Sequence, residues 1–295
     1  MSKIIHPNKI AAVVVTFNRL ELLKQVINGL LNQTLQPDKI IVVNNSSTDG
    51  TLEWLNATAN THPYITIITQ ENTGSSGGQY TGTKIAFEMG YEWIWIMDDD
   101  VVAATDCLKN LMSYCEPDVV CNPMRIGYDG EIFVGTDTAE INITNPFKGL
   151  HKRILTKSDY LESKSILVDV VTFEGPIFHH TVFEKAGFPD KKFFIFADDT
   201  EFSIRLSRYG IRFKIIQKSI LKRLLPVEPL NFDNWKFYYI YRNYTAIDTL
   251  YGSTSVRLFR SFFRILTNII KCKKLSQVKI LLRAFCDGYF YKQEN

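Results

Sequence analysis

The chain has 295 residues, 45% hydrophobic and 22% charged, with a formal net charge of +3. That composition is ordinary for a globular chain, excludes a disordered or collagen-like one, and supplies no global field that points to nucleic acid. Five scattered cysteines (Cys107, Cys115, Cys121, Cys272 and Cys286) with no C-x-x-C pair argue against a disulfide framework or a zinc knuckle, and predict buried free thiols.

Residues Met1 to Pro7 hold no apolar signal core. No stretch approaches the ~18–20 uninterrupted apolar residues that span a bilayer, so the expectation is a cytoplasmic protein. Ile10 to Thr16 is an apolar, β-branched run and reads as a buried strand. Asn18 and Glu21 stand at capping-box spacing, and Leu22, Leu23, Val26, Ile27, Leu30 and Leu31 carry a helical period to about Leu31. Thr16, Phe17, Asn18 and Arg19 then sit at a strand's carboxyl end, where α/β sheets bind ligands. Lys39 to Asn44 is a second strand, with a polar turn from Asn45 to Thr51 and a helix carrying Leu52, Trp54 and Leu55. Tyr64 to Thr69 is a third. Asn72 to Gly78 is a glycine-rich strand-to-helix turn that matches neither the dinucleotide fingerprint nor the P-loop. Its glycines either permit a tight turn or let a ligand approach the backbone closely.

The stretch Trp93 to Asp100 organises the chain. A buried apolar run delivers Asp98, Asp99 and Asp100 to a strand end. Adjacent carboxylates repel one another, and a divalent cation offsets that repulsion. Strand alternation places Asp98 and Asp100 on one face and Asp99 on the other, a D-x-D pair able to hold Mg²⁺ or Mn²⁺ with a ligand's phosphates completing the shell. The plain alternative is a solvated acidic loop.

Ala104 to Tyr114 reads as a helix, Val119 to Asn122 as a strand, and Tyr128 to Glu131 as a hairpin turn. Residues 135–164 lack periodicity and are expected to form a long connection facing a substrate. Ile166 to Phe173 returns to strand, followed by Glu174-Gly175-Pro176, and Thr181 to Ala186 is a short helix. Phe193 to Ala197 is a second apolar run that delivers Asp198, Asp199 and Glu201. Asp199 could merely cap the helix from Thr200 to Tyr209. Two separate carboxylate clusters, however, suggest a metal site plus a base. Ile211 to Gln217 is a further strand.

From Asn231 the texture changes to an aromatic-rich helix around Trp235 to Tyr244, and then to residues 255–283 with eight Lys or Arg and no acid. A helical pair packed on the rest with basic outer faces is the first expectation. Peripheral contact with a membrane through 255–283, on the inner face of the cytoplasmic membrane, is the second.

Val14 to Arg19, Asn44 to Thr51, Asn72 to Gly74, Trp93 to Asp100 and Phe196 to Glu201 come in the order and spacing of family 2 glycosyltransferases. The details resemble the branch that includes galactofuranosyltransferases and rhamnosyltransferases of bacterial surface polysaccharides. The resemblance covers roughly residues 8–250. It implies an α/β fold of the GT-A type, three layers with a helical C-terminal extension, divided as 1–230 (nucleotide half to about 122, acceptor half from 123) and 231–295. It implies an inverting transfer of a galactofuranose- or rhamnose-type sugar from a UDP- or dTDP-sugar to a glycan or lipid-linked glycan. In such enzymes the D-x-D carboxylates, here Asp98 and Asp100, hold Mn²⁺ or Mg²⁺, and Asp99 or Asp98 lies against the nucleoside. The later pair, Asp198 and Asp199, is catalytic, with Asp199 as base. Thr16, Phe17, Asn18, Arg19 and Asn44 receive the nucleobase. We add Asn72 and Gly78 to the nucleotide-sugar set, and Glu174 and Gly175 to the acceptor set.

Two departures stand out. Asn44 replaces an aspartate that many relatives place against the uracil ring. An amide oxygen can still accept the ring N–H. Many relatives also carry a metal-binding histidine beyond the base, whereas no histidine follows His180 here and Lys222 lies near that place. Either metal affinity is lower, or the Lys222 ammonium neutralises phosphate directly. The rival readings are another metal-dependent enzyme, such as a nucleotidyltransferase, and a non-catalytic or hydrolytic nucleotide-sugar-binding protein of the same fold.

Overall fold

The computed structural model describes residues 5–135, 137–227 and 235–293. The boundary expected at 230/231 lies outside the described residues. Strand and helix alternate through β1 (His6–Thr16), α1 (Leu20–Leu31), β2 (Lys39–Asn44), α2 (Thr51–Thr61), β3 (Ile65–Thr69), α3 (Gly74–Glu88) and β4 (Tyr91–Asp98). β1 pairs in parallel with both β2 and β4, and β2 with β3. The strands read as continuous apolar runs because both faces of the sheet are covered. Trp93, Trp95 and Met97 pack on one side with Leu23, Ile27 and Leu30 of α1. Ile94 and Ile96 pack on the other with Val13, Val15 and the phenylalanines that follow.

The second half adds β5 (Val101–Ala103), α4 (Cys107–Met112), β6 (Val119–Ile126), β7 (Thr138–Ile141), β8 (His151–Ile154), α5 (Lys157–Glu162), β9 (Ser165–Val168), β10 (Ile177–His179), α6 (His180–Ala186), α7 (Asp198–Ser207) and β11 (Arg212–Arg223). The described strands form a nine-stranded sheet in the order β3-β2-β1-β4-β10-β6-β11-β5, with β9 on β11, and a separate β7–β8 hairpin. The predicted turn at Tyr128 to Glu131 is present, closed by Gly127 N–H to the Glu131 carbonyl at 2.7 Å. The aperiodic region 135–164 is a correction: it holds the β7–β8 hairpin and α5, elements too short to print a period. The Ile166–Phe173 strand shortens to β9.

Two further expectations change. Asn18 does not cap α1. Its φ is 52°, and its side-chain oxygen accepts the Thr48 N–H at 2.7 Å. The cap comes from a different loop, where Asp49 Oδ2 accepts the Leu20 N–H at 2.9 Å. The aromatic run Phe193 to Ala197 is not a strand. A 3-10 turn, Lys191–Phe193, leads into a loop in which Phe194, Phe196 and Ala197 all have left-handed backbone.

The C-terminal part is helical: α8 (Lys236–Tyr251), a π-helical turn at Val256–Arg260, α9 (Ser261–Ile269) and α10 (Leu275–Tyr289). α8 packs Ala246, Ile247 and Tyr251 on Phe193, Ala197 and Ile204. Tyr241, Ile265, Leu281 and Ala284 join the three helices to one another.

Candidate active site

β1 and β4 run in register, Val15 beside Asp98. Their carboxyl ends therefore meet. Thr16 Oγ1 donates to Asp99 Oδ2 at 2.8 Å, and the Phe17 N–H to the same oxygen at 3.3 Å. Arg19 Nη1 bridges Asp99 Oδ1 at 3.0 Å and Asp100 Oδ2 at 2.8 Å. Strict alternation, which separated Asp99 from its neighbours, fails here because β4 ends at Asp98 and the chain turns toward β5. Burial pushes the Asp99 carboxyl up to about 6 against the opposing pull of Arg19.

Thr16, Phe17, Arg19, Asn72, Gly74 and Asp99 line one pocket of about 250 Å³. Phe194, Trp235 and Lys236, none of them foreseen as site residues, close its far side. Asn72 Oδ1 accepts the Gly74 N–H at 3.0 Å, which shapes the turn. Gly74 has φ +76°, and a Cβ there would lie 2.0 Å from the Phe194 carbonyl. That position accepts no other residue without moving the Phe194 loop.

Asn18 does not line this pocket, its Oδ1 being held by the Thr48 N–H, and three more expected residues sit elsewhere. Asn44 Oδ1 accepts the Ser47 N–H at 3.0 Å, its Nδ2 is buried without a partner among the described residues, and the neighbouring Asn45 lines the pocket instead. Gly78 is buried under α3, where a Cβ would meet Val15 Cγ1 at 2.3 Å. It serves helix-to-strand packing, not ligand approach. Gly175 is buried against Leu221 and Pro123, and its carbonyl accepts Trp95 Nε1–H at 2.9 Å, so it is no acceptor contact.

Beyond this pocket the two acid clusters converge. Asp98 is held well above the ordinary carboxylate range, first by burial and then by Asp100, Glu174, Asp99 and Asp198. Asp198 is raised by burial, against the opposing pull of the Ser76 hydroxyl. Gln79 Nε2 donates to Asp98 Oδ1 at 3.3 Å. Several carboxylates thus face one another in a desolvated space. This donor chemistry fits a hard divalent cation. Among the described residues no three His, Cys, Asp or Glu are gathered as a complete cage, so phosphate or water oxygens would have to supply the rest of the shell.

Lys222 does not reach this space. It is exposed and lines a shallow groove with Gln25 and Asn28 on the α1 side. Its neighbour Arg223 turns inward, with Nη1 3.6 Å from Glu174 Oε1 and the guanidinium 4.2 Å over the Phe133 ring. Arg125, fully buried, holds Glu174 at 2.6 Å and Asp137 at 2.8 Å. Glu174 is therefore a paired carboxylate between Asp98 and Asp199, which it raises electrostatically, and not an open acceptor contact.

Asp199 opens α7. Its Oδ1 accepts the Thr200 N–H at 2.6 Å. Burial first, and Asp198 second, push it up to about 7. It lines a second cavity of about 280 Å³ with His151, Thr172, Phe196, Ile240 and Tyr244. His151 Nδ1 shares a hydrogen with Thr138 Oγ1 at 2.7 Å, and Nε2 with the Tyr244 hydroxyl at 3.1 Å. Burial lowers the His151 pKa, which favours the neutral ring. The Thr172 hydroxyl is buried without a partner among the described residues. A carboxylate near neutrality, facing a cavity with aromatic walls and a few polar atoms, can take a proton from a bound hydroxyl.

The left-handed backbone leading to Asp198 is costly and must be held by its surroundings. Asn243 Nδ2 donates to the carbonyls of Phe193, Ile195 and Phe196 at 3.0, 2.9 and 2.7 Å. Arg242 adds bonds to the Lys192 and Phe193 carbonyls at 2.6 and 2.8 Å. Sequence reasoning missed this pair. Its one local signal is a polar Arg-Asn step inside an otherwise aromatic helix.

A model of the family described as Glycosyl transferase family 2 matches residues 11–171. A galactofuranosyltransferase of Mycolicibacterium smegmatis is 29% identical over 224 residues, 70% of this chain and 68% of that protein. An O-antigen chain rhamnosyltransferase of Salmonella typhimurium is 22% identical over 217 residues, 72% of this chain and 66% of that one. A solved structure of GalNAc-T7 with UDP, GalNAc and Mn²⁺ superposes with a TM-score of 0.68 at 13% identity, over 96% of this chain. This chain spans 56% of that chain's length, and the likeness concerns the fold.

Proposed function

The chain belongs to glycosyl transferase family 2 and is a glycosyltransferase of GT-A fold; from that premise we propose that it transfers a galactofuranose- or rhamnose-type sugar from a UDP- or dTDP-sugar to a glycan or lipid-linked glycan of a bacterial surface polysaccharide. The choice of sugar follows the named activities of the Mycolicibacterium and Salmonella relatives. The observation that carries the reading is Asp199, a carboxylate raised to about 7 that stands between the acid cluster and the cavity lined by His151 and Tyr244.

The nucleotide lies in the pocket formed by Thr16, Phe17, Arg19, Asn72, Gly74 and Asp99. Asp98 and Asp100 would hold Mg²⁺ or Mn²⁺, which when bound neutralises charge on a diphosphate leaving group. The acceptor sits in the cavity beside Asp199. As the acceptor oxygen forms its bond to the anomeric carbon, the bond to the diphosphate oxygen breaks and the acceptor proton passes to Asp199. A base with a pKa near 7 suits this transfer, because the proton moves only as the attack develops. Attack from the face opposite the leaving group inverts the anomeric centre. His151, neutral and held by Thr138, orients the Tyr244 hydroxyl at the cavity wall. Asn243 and Arg242 fix the backbone from which Asp198 and Asp199 project.

A thermal-shift panel of UDP-, dTDP- and GDP-sugars, with and without Mn²⁺, tests the donor. A donor present at ~100 times its dissociation constant adds about 2.7 kcal/mol of stability. Stabilisation by a UDP- or dTDP-sugar, with release of the diphosphate when a glycan acceptor is added, supports the proposal. Equal indifference to all three nucleotides overturns it.

A further inference from the structure

α9 buries Ile265 but turns most of its large apolar side chains outward. A surface helix ordinarily turns its apolar stripe inward and its charges to water. Here the inward face carries Arg264 beside Ile265 and Ile269, and the turn before it Arg260; both arginines pair with the buried carboxylate of Asp248. Arg260 also donates to the carbonyls of Asn142 and Asn145 at 2.6 and 3.0 Å. The outward face, with the turn before it, carries Leu258, Phe259, Phe262, Phe263, Leu266 and Ile270, which are 42–84% exposed. Side chains of this size left outward together mark an interaction surface.

The apolar surface extends in two directions. Phe147, 79% exposed at the tip of the β7–β8 hairpin, meets Phe263 at 5.3 Å between ring centroids. Phe262 meets Phe285 of α10 at 5.2 Å, and Phe285 stacks on Tyr289. The turns on either side of α9 carry Arg257, Lys271, Lys273 and Lys274, and α10 carries Lys279 and Arg283, all exposed. Asp287 is the one acid in α9 and α10. Among the described residues no helix is long and apolar enough to cross a membrane.

We propose that this face of α9 and α10, with Phe147, seats on an anionic lipid bilayer. Aromatic and aliphatic side chains enter the interface while the surrounding cations meet anionic headgroups, the arrangement of an interfacial amphipathic surface. The basic border selects a lipid surface over a second copy of this chain, whose own border would carry the same charges. The same hairpin supplies both Phe147 to this surface and His151 to the cavity beside Asp199. Seating therefore brings the acceptor cavity close to the headgroup layer. That last link, a lipid-linked acceptor entering from the bilayer, rests on the glycosyltransferase reading; the seating itself does not.

Co-sedimentation of the full chain with phosphatidylglycerol-containing vesicles and with pure phosphatidylcholine vesicles tests the proposal, without donor or turnover. A failed transferase assay and a failed seating are therefore distinguishable. The chain is expected to partition at least tenfold more strongly to the anionic vesicles, and less so as salt is raised. Replacing three exposed residues together, Phe259→Ser, Leu266→Ser and Ile270→Ser, should abolish sedimentation while leaving the melting temperature in place. Lys271→Gln, Lys273→Gln and Lys279→Gln should each weaken it about fivefold. A chain that stays in the supernatant at low salt overturns the proposal. So does a dimer in free solution that the triple serine variant dissolves, since the face would then belong to a second copy.

Discussion

Asn243 donates to the Phe196 carbonyl at 2.7 Å, two residues before the acid that opens α7. The Asn243 side chain also receives Arg242 Nε–H at 2.8 Å, which fixes the amide so that both its hydrogens point into the loop. Phe196 and Ala197 are held at φ 66° and 59° by this clamp. Residue 243 thus sets the direction of a carboxylate more than forty residues earlier in the chain.

Asn243→Ala should separate positioning from binding. The Ile195 and Phe196 carbonyls lose this donor inside the protein, at about 1–3 kcal/mol for a buried group left unsatisfied, while the Phe193 carbonyl keeps Arg242. The loop relaxes away from left-handed backbone, and Asp199 loses its aim. We expect kcat to fall by roughly 10²-fold, with UDP affinity changed by no more than a few-fold. Calorimetric UDP binding beside turnover checks this. Equal loss of both would assign Asn243 to general stability.

This clamp also shows where the sequence stops being legible. The strands β1, β2, β3 and β4 could be read directly, since a strand covered on both faces needs an unbroken apolar run and the sheet obliges locally. The acids at their ends were legible for the same reason. Phe193 to Ala197 has the same texture, yet it is a strained loop. Its conformation is imposed by Asn243 and Arg242, which no local pattern reports. Asn44 and Asn45 differ by one residue at a strand end, and the turn to Ser47 decides which faces the pocket. In α9 the sequence prints apolar and basic residues at helical spacing, but only the buried Asp248 of α8 tells which face turns inward. The donor pocket, with its Phe194 and Trp235 wall, was half visible: the strand-end half.

Lys222 and Arg223 are a second case of this kind. β11 changes register against β6 between Ile216 and Ile220, so spacing counted along the chain from Asp199 does not tell which of Lys222 and Arg223 turns toward Glu174. Lys222→Ala should leave donor binding and metal dependence unchanged. Arg223→Ala removes the cation beside Glu174 and leaves Asp98, Asp199 and Glu174 with more uncompensated charge. We expect at least a tenfold loss of kcat/KM, with a rise in the Mn²⁺ concentration dependence of activity. A Lys222 variant as impaired as the Arg223 variant would reverse the assignment.

Asp98→Ala and Asp100→Ala test the cation pair. If both carboxylates serve a divalent ion, each variant should bind UDP in Mn²⁺ no better than the native chain binds it in chelator. Asp100 carries an added consequence, because Arg19 Nη1 would keep Asp99 alone. Calorimetry of UDP with Mn²⁺ and with chelator reads this directly. Native affinity that is the same under both conditions would remove the ion from the site.

Asp199→Asn should abolish transfer while leaving UDP binding within a few-fold, and it should do something further to stability. In the native fold Asp199 is raised from its ordinary value to about 7, first by burial and then by Asp198. A carboxyl raised in the folded state holds its proton more tightly folded than unfolded. Its stabilising contribution is full below the unfolded pKa near ~4, and is lost as pH rises through about 7. The native protein therefore loses stability between these limits. The asparagine variant, which cannot ionise, escapes this particular loss, and its amide oxygen can still accept from Thr200. The difference in melting temperature, variant minus native, should be small at pH 4–5 (~4 being the unfolded value) and grow to several degrees by about pH 8, on the order of 2–4 kcal/mol. Because Asp198 titrates beside it, the transition belongs to the pair. On the proposed mechanism the same carboxyl acts on catalysis with the opposite sign. As base it must be ionised, so kcat/KM of the native enzyme should rise with pH through about 7, where its stability falls. A melting-temperature difference that is constant with pH would show that Asp199 is ionised throughout, and would remove the tuned base from the mechanism.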